Sequence, residues 1–383
     1  MSGRTLILGG GFGGIAAGVE LRRLLGDEHE VVLVDRKPAF AMGLRKLWEL
    51  VGNATIADGT RQRRLLEGHG IEFVEAEITS IDVAQLTAET TAGMLSGDHL
   101  VIALGAVSRP DVVPGLSEHG HDVWEFAGVQ AATDALVRFD GGRLVVLVAG
   151  APYPCPPAPY ECALHLDEYL RERGLRDRTD LSVTTLQPML MPNAGRAGSD
   201  WMAEQLAARD ITYRVGAKIE TVDAGRLNFA NGSEQPFDLL IAVPPHRVPD
   251  VVSDSGLAAP HGWIEVDPGT LATSHAQVYA VGDVTLIPLA SGLPLPKAGV
   301  MAEAQGVRVA RAIVAELAGD EPPPPFDGRG FCPLELGSQS AARVAGDWYA
   351  TPEPIVTIDG PSLELAAEKK EFERERLECW FGR

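Results

Sequence analysis

The sequence predicts an α/β fold with two parallel-sheet domains, and three observations predict it. A β-like run enters a glycine cluster and then a helical apolar pattern at the N-terminus, the same design recurs near mid-chain, and a proline-marked segment of different character closes the sequence. Residues 5–8 read as a strand, residues 9–14 as a glycine turn and residues 15–25 as a helix. Residues 30–34 form a second β-branched run ending at Asp35, which completes a βαβ unit. A further apolar strand, residues 100–104, ends in Gly105, and the turns at Pro110 and Pro114 mark a crossing into another domain. Residues 143–149, 164–173 and 181–186 repeat strand, helix and strand, so both domains are expected to be Rossmann-like dinucleotide-binding folds. Residues 238–243 form a strand stopped by Pro244 and Pro245. Residues 278–282 form a last core strand leading back to the first domain.

The first domain is therefore expected in two parts, residues 1–110 and 246–321, with residues 111–245 as the second domain between them. Pro322 to Pro325 form a stiff spacer after a helix over residues 307–317, because proline holds an extended backbone and cannot continue a helix. The spacer sets off residues 322–383 as a small C-terminal module. That module closes with a charged helix, residues 363–377, and an apolar tip, Trp380 and Phe381. The plain reading is a solvated packing helix, and the alternative is a peripheral membrane or quinone contact at the tip.

With 383 residues, 45% of them hydrophobic and 22% charged, the chain has ample material for packed cores and is neither disordered nor a disulfide-stapled miniature. A formal net charge of −20 repels phosphodiester backbones and anionic lipid headgroups, so nucleic acid is not an expected partner. No run of apolar residues is long enough to span a bilayer. The N-terminus lacks the basic, apolar and cleavage regions of a signal peptide, so a cytoplasmic protein is expected, with attachment to the inner face of the cell membrane open as a peripheral contact. The histidines show no metal-ligand spacing beyond His119 and His121, which read as part of a turn, and no metal is expected.

Gly9, Gly11 and Gly14 match GxGxxG between a strand and a helix, where missing side chains let a pyrophosphate approach the positive end of the helix. Asp35 lies about 20 residues further on, at a strand end, where its carboxylate can accept the hydroxyl protons of an adenosine ribose. The two together predict a bound dinucleotide. In the second unit the turn reads Gly150-Ala-Pro-Tyr-Pro-Cys155-Pro-Pro-Ala-Pro159. Its prolines remove N–H donors and add bulk, which makes the turn unsuited to a nicotinamide dinucleotide. That loop instead presents Cys155 between Pro154 and Pro156, with Glu161 at the start of the following helix, and a fixed thiol of this kind suits redox chemistry. Cys332 lies beyond the proline spacer and can meet Cys155 only through the fold. Cys162 and Cys379 read as small buried hydrophobes.

Two motifs carry a resemblance. TSHAQVYAVGD, residues 273–283, resembles the motif whose last aspartate holds the ribityl chain of FAD in flavoproteins with two dinucleotide domains, and DHLVIALG, residues 98–105, resembles their domain-junction strand. The resemblance implies FAD as cofactor, with Asp283 in the ribityl role and Gly105 at the junction. PYPCPPAPYE, LLIAVPPHRVP, PKAGVMAEAQG and FCPLELG further resemble the sulfide:quinone oxidoreductases and the flavoprotein subunit of flavocytochrome c sulfide dehydrogenase, so that the likeness covers nearly the whole chain.

What the resemblance implies is sulfide oxidation. Cys155 and Cys332 match the cysteine pair that bridges beside the flavin, Glu161 matches a proton-transfer glutamate, and Lys297 would sit near the pyrimidine end of the flavin, where positive charge stabilises the reduced ring. Hydrosulfide attack on the bridge would release one cysteine sulfur and leave sulfane sulfur on the other. Two departures bear on this. The stretch from Trp124 to Ala132 has no third cysteine, implying a two-cysteine cycle. The stretch around Met42 has no thiol for covalent flavin attachment, implying non-covalent FAD. A quinone is the expected acceptor because the chain carries no haem motif. The rival readings are an NADH:quinone or other pyridine-nucleotide reductase, a cytochrome-linked sulfide dehydrogenase flavoprotein, and a non-catalytic flavin redox sensor. The sequence leaves the acceptor, the sulfur product and any homo-oligomer open.

Overall fold

A computed structural model describes residues 3–337 and 339–382. Its first sheet has five parallel strands in the order Val278–Ala280, His99–Ile102, Gly3–Leu8, His29–Asp35 and Glu72–Glu75. Leu6, Ile7, Leu33, Val101 and Ile102 are fully buried, as the strands of a parallel sheet covered on both faces require. The helix Phe12–Leu24 packs against the helix Gly299–Ala318 at very short range, since a Cβ on Gly306 would lie 2.2 Å from the carbonyl oxygen of Gly13. Small residues at that crossing bring the helix after the glycine turn and the late helix onto one another.

The second sheet repeats the design with parallel strands in the order His121–Asp122, Leu239–Val243, Gly142–Val148, Thr179–Thr185 and Thr212–Arg214. Each parallel sheet has a three-stranded antiparallel companion. One is Ile78–Asp82, Thr87–Thr90 and Gly93–Ser96, and the other is Ile219–Asp223, Arg226–Phe229 and Glu234–Pro236. Helices begin earlier than the apolar periodicity alone indicates: at Phe12, at Ala158 rather than residue 164, and at Gly299 rather than residue 307. The reason in the second case is that proline fits the first helical turn, where its missing N–H would have no partner, so Pro159 starts the helix instead of delaying it. His119 and His121, read from the sequence as part of a turn, lie in the short helix Leu116–His119 and the strand His121–Asp122.

The C-terminal module is more than a helix. Strands Arg329–Glu335, Ala341–Asp347 and Ile355–Ser362 form an antiparallel sheet, followed by the helix Leu363–Phe381, which Ser362 caps by accepting from the Leu365 N–H at 3.2 Å. Leu334, Ala342 and Val344 pack into the core of the second sheet, while Trp348, Phe372 and Leu377 pack into that of the first. The module is thereby fixed across both. Its tip follows the packing reading rather than the alternative of a membrane or quinone contact: Trp380 and Phe381 are only 3% and 5% exposed, and Trp380 meets Phe12 and Phe40 edge-on at 5.3 and 5.7 Å. Burying these rings against the turn of the first βα unit satisfies them within the chain, so they present no apolar tip to a membrane. No described helix is long and apolar enough to cross one. Cys162 is fully buried, as the sequence suggests, but Cys379 is exposed, because its direction, about 100° round the last helical turn from the buried Trp380, is not covered by the core.

Candidate active site

Around Asp35 the structure holds a cradle that fits a dinucleotide. A Cβ on Gly9 would lie 2.3 Å from the carbonyl oxygen of Ala103, and one on Gly14 would lie 1.9 Å from that of Gly9, so neither position admits a side chain. A Cβ on Gly11 would meet nothing within 4 Å, and no side chain caps the helix that follows, so its first N–H groups face open space. Asp35 is held by the N–H groups of Gly10 at 2.7 Å and Lys37 at 2.8 Å. These features fit a pyrophosphate at Gly11 and a ribose at Asp35. Asp283 lies in the turn Gly282–Val284, where burial pushes its carboxyl above the ordinary value. Gly105 follows the strand His99–Ile102, and its φ of 66° favours glycine.

Lys297 is placed differently from a helix-opening cation. The helix starts at Gly299, and the buried Lys297 Nζ donates to the carbonyls of Asp283 at 2.7 Å and Thr285 at 2.6 Å while lying 3.7 Å from the Trp263 ring. Burial lowers its pKa to about 8, against the opposing pull of Asp283. The backbone of Lys297 has a second task, because its carbonyl accepts from the Cys155 N–H at 2.7 Å.

That bond is one of four that fix the cysteine loop. Trp124 Nε1 donates to the Pro154 carbonyl at 2.8 Å, Tyr153 Oη to that of Pro156 at 3.0 Å, and the Ala158 N–H to that of Cys155 at 2.9 Å. Cys155 itself has a φ of 58°, a left-handed conformation that a non-glycine residue adopts only where its surroundings impose it. Cys332, from the strand Arg329–Glu335, hydrogen-bonds the Cys155 thiol. That bond places the first negative charge of the pair on Cys155, whose thiol is lowered against burial and Glu161 with help from Lys369 and Lys46. The thiol of Cys332 is raised by the same bond and by burial.

Behind the thiols lies a buried cluster of charges. Glu161 and His165 stand one turn apart on the helix Ala158–Glu172, Glu335 comes from the strand that carries Cys332, and Lys369 comes from the C-terminal helix. All four are at most 3% exposed. Lys369 Nζ donates to Glu161 and, at 2.9 Å, to Glu335. Glu335 also lies 3.1 Å from His165 Nε2 and accepts from Trp48 Nε1 at 2.7 Å. Burial disfavours charge on His165, but its bonds to both carboxylates outweigh this and raise its pKa to about 9. Burial would likewise raise Glu335, but Lys369, His165 and Trp48 hold it well below the ordinary carboxylate range. Glu161, His165 and Glu335 offer ligand atoms within 4.8 Å of one another, as a metal site would, yet the Lys369 ammonium already bridges the two carboxylates.

The structure thus gathers Cys155, Cys332 and Glu161 in one place and puts the glycines and Asp35 in another. Sequence reasoning missed His165, Glu335, Lys369, Lys46 and Trp48. Only the spacing of Glu161 and His165 on one helix face carried a signal. An apolar cleft lined by Pro156, Ala298, Val300, Phe331 and Trp348 among others opens onto Cys332.

A family model described as pyridine nucleotide-disulphide oxidoreductase matches residues 3–308. Mitochondrial sulfide:quinone oxidoreductase of Mus musculus is 23% identical over 373 residues, covering 93% of this chain and 80% of that protein. Sulfide-quinone reductase of Aquifex aeolicus is 27% identical over 344 residues, covering 83% of this chain and 77% of that protein. The solved structure of sulfide:quinone oxidoreductase from Aquifex aeolicus superposes with a TM-score of 0.89 over 99% of this chain and 92% of that one, at 23% identity, and so shares its fold.

Proposed function

The chain belongs to the pyridine nucleotide-disulphide oxidoreductase family, and on that premise we propose that it oxidises sulfide at Cys155 and Cys332 and passes the electrons through non-covalently held FAD to a quinone. The observation that carries this reading is the replacement of a phosphate cradle by a cysteine loop. In the second βα unit a Cβ on Gly150 would lie 2.4 Å from Pro245, and the loop backbone is committed to holding Cys155 beside Cys332. The relatives in mouse and Aquifex, both of them sulfide:quinone enzymes by name, support the same substrates.

The structure holds the pair as two free thiols; once oxidised to a disulfide, it is attacked by hydrosulfide, which bonds to one sulfur and displaces the other as a thiolate that the cations Lys369 and Lys46 stabilise. Glu161, paired with Lys369 beside the thiols, is the group placed to take a proton. FAD, when bound, supplies the two-electron acceptor chemistry; Gly9, Gly11, Gly14 and Asp35 would hold its adenosine diphosphate part, Gly105, Asp283 and Lys297 its flavin end. The apolar cleft at Cys332 suits a quinone ring better than a charged nicotinamide dinucleotide.

The test is an anaerobic visible spectrum of the purified protein, titrated with sulfide, then with NADH, then reoxidised with a short-chain quinone. Bleaching by sulfide and recovery with quinone is the expected result. Bleaching by NADH alone would favour a pyridine-nucleotide reductase, and bleaching by neither a redox sensor.

A further inference from the structure

The thiol pair lies between two clefts of opposite character. The apolar cleft reaches Cys332, whereas a second, polar cleft, between the C-terminal helix and residues 45–61, is lined by Glu335 and Trp48 together with Arg61, Lys370, Glu373 and Arg374. Glu335 therefore belongs to two environments at once: it is a member of the buried cluster and part of the cleft wall. Two groups join it to Glu161: the Lys369 ammonium, bonded to both carboxylates, and His165, whose Nε2 lies 3.1 Å from Glu335 and 3.7 Å from Glu161.

We propose that Glu161, Lys369 and Glu335 form a proton path from the Cys155–Cys332 pair to the polar cleft, and that it serves to ionise sulfide arriving as uncharged hydrogen sulfide. The inference rests on the sulfide reading above. A buried thiol pair beside the Glu161 carboxylate favours a neutral molecule over an anion, which would have to shed its hydration shell next to that carboxylate. Hydrogen sulfide gives one proton to the Glu161 carboxylate and becomes the attacking hydrosulfide. Lys369 takes that proton while passing one of its own to Glu335, an uphill transfer because Glu335 is held well below the ordinary carboxylate range, so that Glu335 releases the proton at once to water in the cleft. One proton leaves, the cluster returns to its starting charge, and no electrons move in this step.

The groups facing Glu335 are Trp48 from the helix Arg45–Leu50, His165 from the helix Ala158–Glu172 and Lys369 from the C-terminal helix, with the bidentate Arg45–Glu373 pair beyond them. In Glu335→Gln the shape and the Trp48 bond are kept but a carboxylate is lost. In Lys369→Arg the positive charge is kept, but guanidinium does not give up its proton.

The experiment is rapid anaerobic mixing of the flavin-loaded protein with sulfide across pH, for the native chain and both variants. Below the first ionisation of hydrogen sulfide, flavin reduction in each variant is expected to slow on the order of 100-fold. The deficit should shrink where hydrosulfide predominates, and a small weak base such as acetate or imidazole should relieve it in Glu335→Gln. A deficit equal at every pH, or none at all, in variants that retain the flavin spectrum overturns the path while leaving sulfide oxidation intact. A native protein whose flavin sulfide does not reduce overturns the underlying function instead.

Discussion

After the strand Gly3–Leu8 the chain needs only Gly9, Gly10 and Gly11 to enter its helix, whereas after the strand Gly142–Val148 residues 149–157 intervene before the helix Ala158–Glu172. Both turns sit at the same point of the same βαβ design, at the C-terminal end of a central strand where such sheets bind ligands. In the first, two glycines are packed too tightly for any side chain, a third faces open space, and the helix start is left uncapped for an anion. In the second, a proline-braced loop spends its hydrogen bonds on holding one thiol in a left-handed conformation. The helix it leads into then puts a glutamate and a histidine, not N–H groups, toward the site. One βα architecture thus serves two chemistries, and what differs is whether the turn exposes its backbone or a side chain.

The sharpest break between the two units is Cys155→Ser. If the second turn is a redox loop, sulfide-dependent quinone reduction falls at least about 1000-fold while the flavin spectrum and its affinity are unchanged, and steady-state assay with a spectrum of the same sample checks both. Gly11→Asp probes the other turn. The backbone of Gly11, at φ −88° and ψ −166°, accepts any residue, and its Cβ meets nothing, so the apo-protein should melt as before. A carboxylate facing a pyrophosphate should weaken FAD binding on the order of 100-fold, read by reconstitution titration.

The smallest effect concerns His165, whose folded value of about 9 lies above its ordinary 6.5. A raised value means that its contribution is complete below pH 6.5 and is lost as pH rises through about 9. The loss should be about 3 kcal/mol of unfolding free energy, seen in urea titrations at several pH values and absent from His165→Gln. A flat profile would mean that the second unit is not organised around charge.

The first unit was legible almost entirely from the sequence, because a glycine turn with Asp35 at the next strand end is a local pattern and its chemistry lies in the backbone. The parallel sheets followed for the same reason, since continuous apolar runs separated by helical periodicity leave few other arrangements. The proline-held Cys155 was equally visible, as a rule broken where phosphate chemistry needs it kept. Helix starts were misread where prolines and small residues conceal a first turn, as at Ala158 and Gly299.

What the tertiary structure decided is everything that depends on burial. Cys332, Glu335 and Lys369 reach the Cys155 loop only because the C-terminal sheet and helix lie across both cores. Lys369 and Glu161, which are 208 positions apart, carry no trace of one another in the sequence. Trp380 and Phe381, for which the sequence leaves packing and a membrane or quinone contact both open, are packed on Phe12 and Phe40, because an apolar segment is satisfied equally by a membrane or by its own core, and only the fold chooses. The residues that can hold a dinucleotide are set by backbone geometry written in consecutive positions. The charge of the thiols and the partners of Glu161 are set by which ionisable groups share a space without water, which only the folded chain determines.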